Sequence, residues 1–143
     1  MKVTIKRVYE SAASADGRRV LVDRLWPRGL TKEKAHVDEW LRDLAPSNEL
    51  RRWYHTRPGD WEAFRKKYLI ELNQSPAHEA LDRLYQLVHT KKRVTLVFAS
   101  KNEDRNNATV LQELLEGKRK PPRGTGPVAA GTMRQRASAA RRK

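Results

Sequence analysis

The residues best suited to chemistry lie close together between positions 23 and 28. This stretch holds the carboxylate of Asp23, the guanidinium groups of Arg24 and Arg28, and the indole of Trp26. Guanidinium groups bind carboxylates and phosphates through paired hydrogen bonds, and an indole can stack on a flat ring or hold a cation. A carboxylate beside two guanidinium groups is expected to be ionised, and it can then orient a base edge or a water molecule. The stretch therefore predicts a site for an anionic ligand.

A second polar stretch, residues 100–107, offers complementary groups. Lys101 supplies an ammonium group, Asp104 a carboxylate and Asn107 an amide, just before a predicted helix whose N-terminus would attract anions. Each stretch follows a predicted strand, and ligands of open α/β sheets bind beyond the carboxyl ends of strands. If the two strands are parallel neighbours, both stretches meet at one edge of the sheet. The expected ligand contacts are then Arg24, Trp26, Arg28, Lys101, Asp104 and Asn107.

These residues permit three functions. In the first, which we prefer, they form a basic crevice that binds a phosphate-bearing ligand, either a nucleotide or a nucleic acid. In the second, the chain is a small hydrolase or transferase in which Asp23 acts as base, Arg24 and Arg28 stabilise charge and Asn107 positions the substrate. In the third, the chain is a regulatory domain that binds another protein. A purely structural interpretation competes with all three, since an Asp–Arg pair at a strand end is often an ion pair.

Three short apolar runs predict the strands that position these residues. In the first run Val3 and Ile5 alternate with polar residues, and the second run centres on Leu21. The third is apolar almost throughout, as in a strand buried on both faces of a parallel sheet. The predicted bounds are residues 1–9, 19–25 and 94–99. The polar residues 11–17 could close a hairpin between the first two strands or, along a longer path, leave them parallel neighbours.

Helical spacing of apolar residues predicts five helices. The first follows a Thr31 cap and continues to about Leu44, and the second covers residues 48–55 after a Ser47 cap. Three more have their apolar faces in residues 61–73, 77–88 and 108–115. Because a long helical crossover joins the second strand to the third, we predict a small three-layer α/β fold with a short, mostly parallel sheet.

Positive charge is concentrated after Gly117. The chain has a formal net charge of +14, yet residues 1–117 hold 22 bases against 17 acids. The remaining residues, 118–143, contain no acid and no sustained apolar face, so we predict a disordered basic tail beside an α/β domain over residues 1–117. Such a tail attracts nucleic acid through charge density alone, although it could equally serve only solubility. Its bases are Lys118, Arg119, Lys120, Arg123, Arg134, Arg136, Arg141, Arg142 and Lys143.

Several classes of site lack support. The chain has no cysteine, which excludes disulfides and thiolate chemistry. Its four histidines form no close pair, and it has neither a Gly-rich phosphate loop nor a dinucleotide fingerprint, so we predict no metal and no cofactor. No apolar run approaches the length of a membrane helix, and the N-terminus lacks the apolar core of a signal peptide. We therefore expect a cytoplasmic protein that does not bind membranes.

One further run, residues 51–55, combines bases with aromatic rings in the order Arg-Arg-Trp-Tyr-His. Basic grooves with interleaved aromatic side chains bind single-stranded nucleic acid. The same pattern is also typical of a helix with one buried and one solvated face. The sequence leaves both interpretations open.

Together these motifs resemble the YeaO-like family, a bacterial family of domains. The resemblance rests on residues 19–29 (RVLVDRLWPRG), on Ala45-Pro46-Ser47 followed by Leu50-Arg51 and Trp53, on Trp61-x-x-Phe64-x-x-x-Tyr68-x-x-Glu71-Leu72, and on the last strand followed by Lys101 and Asn107. It covers about residues 1–117 and leaves the basic tail outside. It implies a compact α/β domain with two facing polar turns, and it implies no established activity.

Overall fold

A computed structural model describes residues 2–91 and 93–117 of the chain. The predicted basic tail, with all its lysines and arginines, lies outside these residues. The described ranges contain β1 (Lys2–Arg7), β2 (Arg18–Leu21), β3 (Glu39–Trp40) and β4 (Arg93–Phe98). They also contain α1 (Lys32–Ala35), α2 (Asn48–His55), α3 (Trp61–Leu72), α4 (Ala77–Thr90) and α5 (Asn107–Leu115). The α/β class is thus confirmed, as are the bounds of the second predicted helix.

The four strands form one parallel sheet in the order β1-β4-β2-β3. Because β4 lies between β1 and β2, the first two strands are not neighbours, so the hairpin and the parallel-neighbour alternatives are both wrong. In the register, Val94 of β4 lies opposite Val3 of β1, while Leu96 lies opposite Val20 of β2. All residues of β4 after Arg93 are buried, which confirms the prediction of a strand covered on both faces.

The helix predicted from Thr31 to Leu44 is wrong beyond its first turn. Thr31 does cap α1 by accepting a hydrogen bond from the backbone N–H of Lys34, but His36 adopts a left-handed conformation (φ 50°) and ends the helix. The backbone N–H of Asp38 then donates to the carbonyl of Arg19, so the chain pairs with β2 as β3. Trp40 packs beside the buried residues of the sheet, and its spacing from Val37 imitates a helical face.

The chain divides into two compact units, and the second one covers residues 46–79 of the described part. In that unit Ser47 caps α2, accepting a hydrogen bond from the N–H of Leu50. The Ser47 hydroxyl and N–H both donate to the carboxylate of Glu71 on α3. The rings of Tyr54 and Phe64 stack with their centroids 4.5 Å apart. These contacts fix α2 against α3. The sheet, α1 and α5 belong to the first unit.

Gly17 sits where the backbone approaches β4 closely. Its φ is +66°, and a Cβ atom there would lie 2.4 Å from the carbonyl oxygen of Arg93. We expect Gly17→Ala to lower the free energy of unfolding by more than about 2 kcal/mol, because it adds backbone strain to a steric overlap. Urea denaturation followed by circular dichroism measures the change.

Gly59→Ala is the matched control, because no atom lies within 4 Å of its added Cβ and its φ is not positive. It should change the free energy of unfolding by no more than about 0.5 kcal/mol. Equal denaturation midpoints for the two variants would show that the approach of Gly17 to β4 is not a constraint on the fold.

Candidate functional site at the ends of β2 and β4

The two polar stretches leave the same end of the sheet, because β2 and β4 are parallel neighbours. After β2 the chain turns toward β3 on one side. After β4 it enters α5, which packs against β1 and β4 on the other side. Adjacent strands whose chains diverge in this way border the crevice where open α/β sheets bind ligands. The arrangement required by the sequence prediction is therefore present.

Asp23 joins the two stretches through its carboxylate. One carboxylate oxygen accepts a hydrogen bond of 2.8 Å from the backbone N–H of Ala99, just after β4. The other accepts one of 3.3 Å from the side-chain amide of Asn107, the first residue of α5. The same amide donates to the carbonyl of Val22 at 2.9 Å. Asp23 and Asn107 are thus brought together as the prediction required.

Burial raises the pKa of Asp23 above its ordinary value, and the hydrogen bonds from Ala99 and Asn107 oppose this rise only in part. Neither neighbouring guanidinium group contributes to that pKa. The expected influence of Arg24 and Arg28 on that pKa is therefore not found, and Arg24 donates to the carbonyl of Ala45 at 3.2 Å. A partly buried carboxyl with a raised pKa can hold or release a proton closer to neutral pH than an exposed one.

Trp26 is half-buried and packs against the protein. Its indole N–H donates to the carbonyl of Leu30 at 2.7 Å, and its ring meets the ring of Trp40 edge-on with centroids 5.6 Å apart. The indole N–H of Trp40 in turn donates to the carbonyl of Asp23 at 2.7 Å. The two tryptophans therefore support the backbone on which Asp23 stands.

Three of the predicted ligand contacts are exposed. Arg28, Lys101 and Asp104 lie on the surface, and no side-chain hydrogen bond or ion pair joins any of them to another residue in the described part of the chain. The backbone of the first loop is fixed nearby, since the hydroxyl of Tyr9 donates to the carbonyl of Arg28 at 2.9 Å. Of the predicted site residues, Asp23 and Asn107 thus bond to each other, while Arg24 and Trp26 bond to the backbone of their own unit. The remaining three face solvent.

Sequence reasoning missed a third contributor to this end of the sheet, formed by the last residue of β1 and by Tyr9 just after it. The guanidinium group of Arg7 donates to the carbonyls of Ala99 and Ser100, both at 3.0 Å, and lies 5.1 Å from the ring of Tyr9. The signal was an arginine and a tyrosine following the first apolar run. This pattern predicts a contribution to the site only when β1 is known to lie beside β4.

Neither a metal site nor a membrane-spanning helix is found among the residues that the structure describes. No group of three histidine, aspartate or glutamate side chains there could hold a metal ion. Likewise, none of the helices within residues 2–91 and 93–117 is long and apolar enough to span a membrane.

Comparison with known proteins gives one family and several relatives. Residues 2–128 match the family described as the "Inactive DUF488-N3 subclade". The chain is 42% identical to "Uncharacterized protein YeaO" of Escherichia coli over 115 residues, which is 80% of this chain and 97% of that protein. It is also 42% identical to "Uncharacterized protein Rv3073c" of Mycobacterium tuberculosis over 117 residues, 82% of this chain and 96% of that one. No solved structure matches significantly. The resemblance to the YeaO-like family is confirmed.

The raised pKa of Asp23 predicts a specific pH dependence of stability. The folded state binds a proton at Asp23 more readily than the unfolded state, so this residue's contribution to stability falls as pH rises from its ordinary value of 3.8 through the folded pKa. We expect the wild type to lose stability relative to Asp23→Asn as pH rises from about 3.8 toward 7. Urea denaturation of both proteins across that range measures the difference.

The comparison includes Asp104→Asn, which makes the same change of charge at an exposed carboxylate. If the stability of the wild type relative to Asp23→Asn instead grows with pH, the fold favours the charged form of Asp23, and our account of its burial is wrong.

Proposed function

The chain belongs to the inactive subclade of DUF488-N3, and on this basis we propose that it binds a phosphate-bearing ligand at the carboxyl ends of β2 and β4 without transforming it. The observation that carries the proposal is the pair of loops that Asp23 and Asn107 join at this end of the sheet. Arg28 and Lys101 project from these two loops as exposed cations. A crevice bordered by such cations concentrates anions by its electrostatic field.

Arg7 adds a third cation to the same end of the sheet. Its guanidinium group bonds to two carbonyl oxygens, and no acid among the residues that the structure describes forms an ion pair with it. Arg28 and Lys101 likewise form no ion pair with any acid among the described residues.

The residues of the crevice then have different roles. Arg28 and Lys101 bind phosphate oxygens directly, as arginine and lysine commonly do. Asn107 and Asp23 hold the two loops at a fixed separation, and Asp104 accepts hydrogen bonds from the sugar or base of a nucleotide. Arg24 and Trp26 act indirectly, because their hydrogen bonds fix the loop that carries Arg28. In this proposal the basic residues 118–143 add affinity for nucleic acid that does not depend on its sequence.

A catalytic function has one observation in its favour. The raised pKa of Asp23 suits a general acid or base, as in the hydrolase or transferase that the sequence also permits. Two observations favour binding instead. Both carboxylate oxygens of Asp23 already accept hydrogen bonds from the protein, and the family is described as inactive.

The exposed cations provide the test of the proposal. We expect ATP, GTP or inorganic phosphate to bind the whole chain in titration calorimetry at low salt. Arg28→Gln/Lys101→Gln should weaken that binding about tenfold, because the two lost charged contacts together cost roughly 1.4 kcal/mol at an exposed site.

Lys34→Gln/Lys91→Gln is the control, since it removes the same charge from two exposed positions outside both loops. It should leave the affinity within about twofold of the wild type, a margin well below the tenfold effect expected for the crevice. Equal losses in the two double variants would show binding by general charge rather than by the crevice. Absence of binding by all three probes would overturn the proposal, and turnover lost in Asp23→Asn without loss of affinity would favour the catalytic function.

A further inference from the structure

Trp53, in the second unit, has two cations close to its ring. The guanidinium carbon of Arg57 is 5.2 Å from the centroid of its ring, and the ammonium nitrogen of Lys67 is 5.0 Å from the same centroid. Trp53 belongs to α2 and Lys67 to α3, while Arg57 follows α2 directly. We call the surface formed by these three residues the Trp53 surface. Trp53 itself is half-buried, and both cations are exposed.

The two charges of the Trp53 surface have no acidic partner. Arg57 donates to the hydroxyl of Thr56, and neither it nor Lys67 forms an ion pair within the part of the chain that the structure describes. Because each lies close to the same ring, they are no more than about 10 Å apart. Since about 10 Å is an upper bound and the Debye length is about 8 Å at physiological salt, the repulsion between the two cations is only partly screened. Attraction to the face of an indole offsets this repulsion in part, and an anion that contacts both cations would offset it further.

The Trp53 surface stands on a rigid base. The stacking of Tyr54 on Phe64 and the bonds from Ser47 to Glu71 hold α2 against α3. A site on rigid helices keeps its charges in place without further ordering on binding. More exposed bases lie on the same two helices, namely Arg51, Arg52 and Lys66.

We propose that the Trp53 surface binds nucleic acid through the phosphates of its backbone, as a site separate from the crevice. A nucleic acid strand offers closely and regularly spaced negative charges that two cations can contact together. Aromatic rings among cations are also typical of surfaces that bind single strands. An anionic membrane fits less well, because surface helices that bind membranes insert a broad apolar face. The one large apolar side chain that is exposed on α2 or α3 is Ile70.

Salt dependence of nucleic-acid binding tests the proposal. The whole chain is titrated into a labelled 20-nucleotide single strand and a labelled 20-base-pair duplex, with fluorescence anisotropy read between about 50 and 200 mM salt, the range in which phosphate contacts change affinity most clearly. In Arg57→Gln/Lys67→Gln, the slope of log affinity against log salt should be shallower by about 1.4 to 1.8, since two phosphate contacts are lost. The affinity near physiological salt should fall roughly tenfold.

Lys34→Gln/Lys91→Gln again controls for net charge, and its slope should equal that of the wild type. The proposal fails if the two double variants have equal slopes. It also fails if neither nucleic acid binds while vesicles containing phosphatidylserine do. Should Arg57→Gln/Lys67→Gln not fold, Lys67→Gln alone should reduce the slope by about half as much, and an unchanged slope would overturn the proposal.

The two sites give different signatures in these experiments. Arg28→Gln/Lys101→Gln should retain the steep salt slope of nucleic-acid binding that depends on Arg57 and Lys67. Conversely, Arg57→Gln/Lys67→Gln should retain the affinity for ATP. Failure of one site therefore leaves the test of the other intact.

Discussion

The first unit depends on the carboxylate of Asp23. This one side chain ties the segment after β2 to the start of the segment after β4, and to α5 through Asn107. Its own backbone carbonyl accepts a hydrogen bond from the indole N–H of Trp40, the last residue of β3. A small sheet has few contacts with which to hold its loops, so a single half-buried acceptor that serves three elements determines much of the local geometry. The raised pKa of Asp23 reflects the free-energy cost of burying its charged form at this position.

Positive charge is arranged differently in the two units. In the first unit, Arg7 bonds to the carbonyls of Ala99 and Ser100, so one cation organises the backbone while remaining uncompensated. In the second unit, Arg57 and Lys67 approach one indole ring and again meet no acid within the described residues. Elsewhere acids do neutralise bases, as where Arg83 binds Glu39 through two hydrogen bonds of 2.8 and 2.9 Å. The cations that lack an ion pair among the described residues therefore reflect their positions in the fold and not simply the excess of basic residues in the chain.

Much of the fold could be predicted because its signals are local. The apolar run of β4, the Ser47 cap of α2 and the apolar faces of α3 and α5 each follow from neighbouring residues. By contrast, β3 has two residues, too few for an alternating pattern, and it exists because Asp38 and Leu41 bond to the backbone around β2. Such pairing depends on residues about twenty positions away.

The candidate site shows the same limit. That Asp23 and Asn107 would meet followed from the strands being parallel and adjacent. The direction of the Arg24 side chain did not follow from the strand arrangement. Arg24 donates to the carbonyl of Ala45, which lies just after a segment that was predicted to be a helix. The contribution of Arg7 also could not be predicted, because it required the position of β1 in the sheet. Side-chain direction at a strand end is decided by whichever carbonyls the tertiary fold brings near, and the sequence encodes that only indirectly.

The strand order has a consequence for how the protein is made. Because β4 lies between β1 and β2 yet follows them by some seventy residues, the ribosome releases both outer partners long before the strand that joins them. Until then β1 and β2 have unpaired edges, and the sheet forms only when contacts distant in sequence can close. Nonlocal pairing of this kind slows folding and leaves strands open to association with other chains. The nascent chain is thus most dependent on protection, such as binding by a chaperone, during the synthesis of the helices that precede β4.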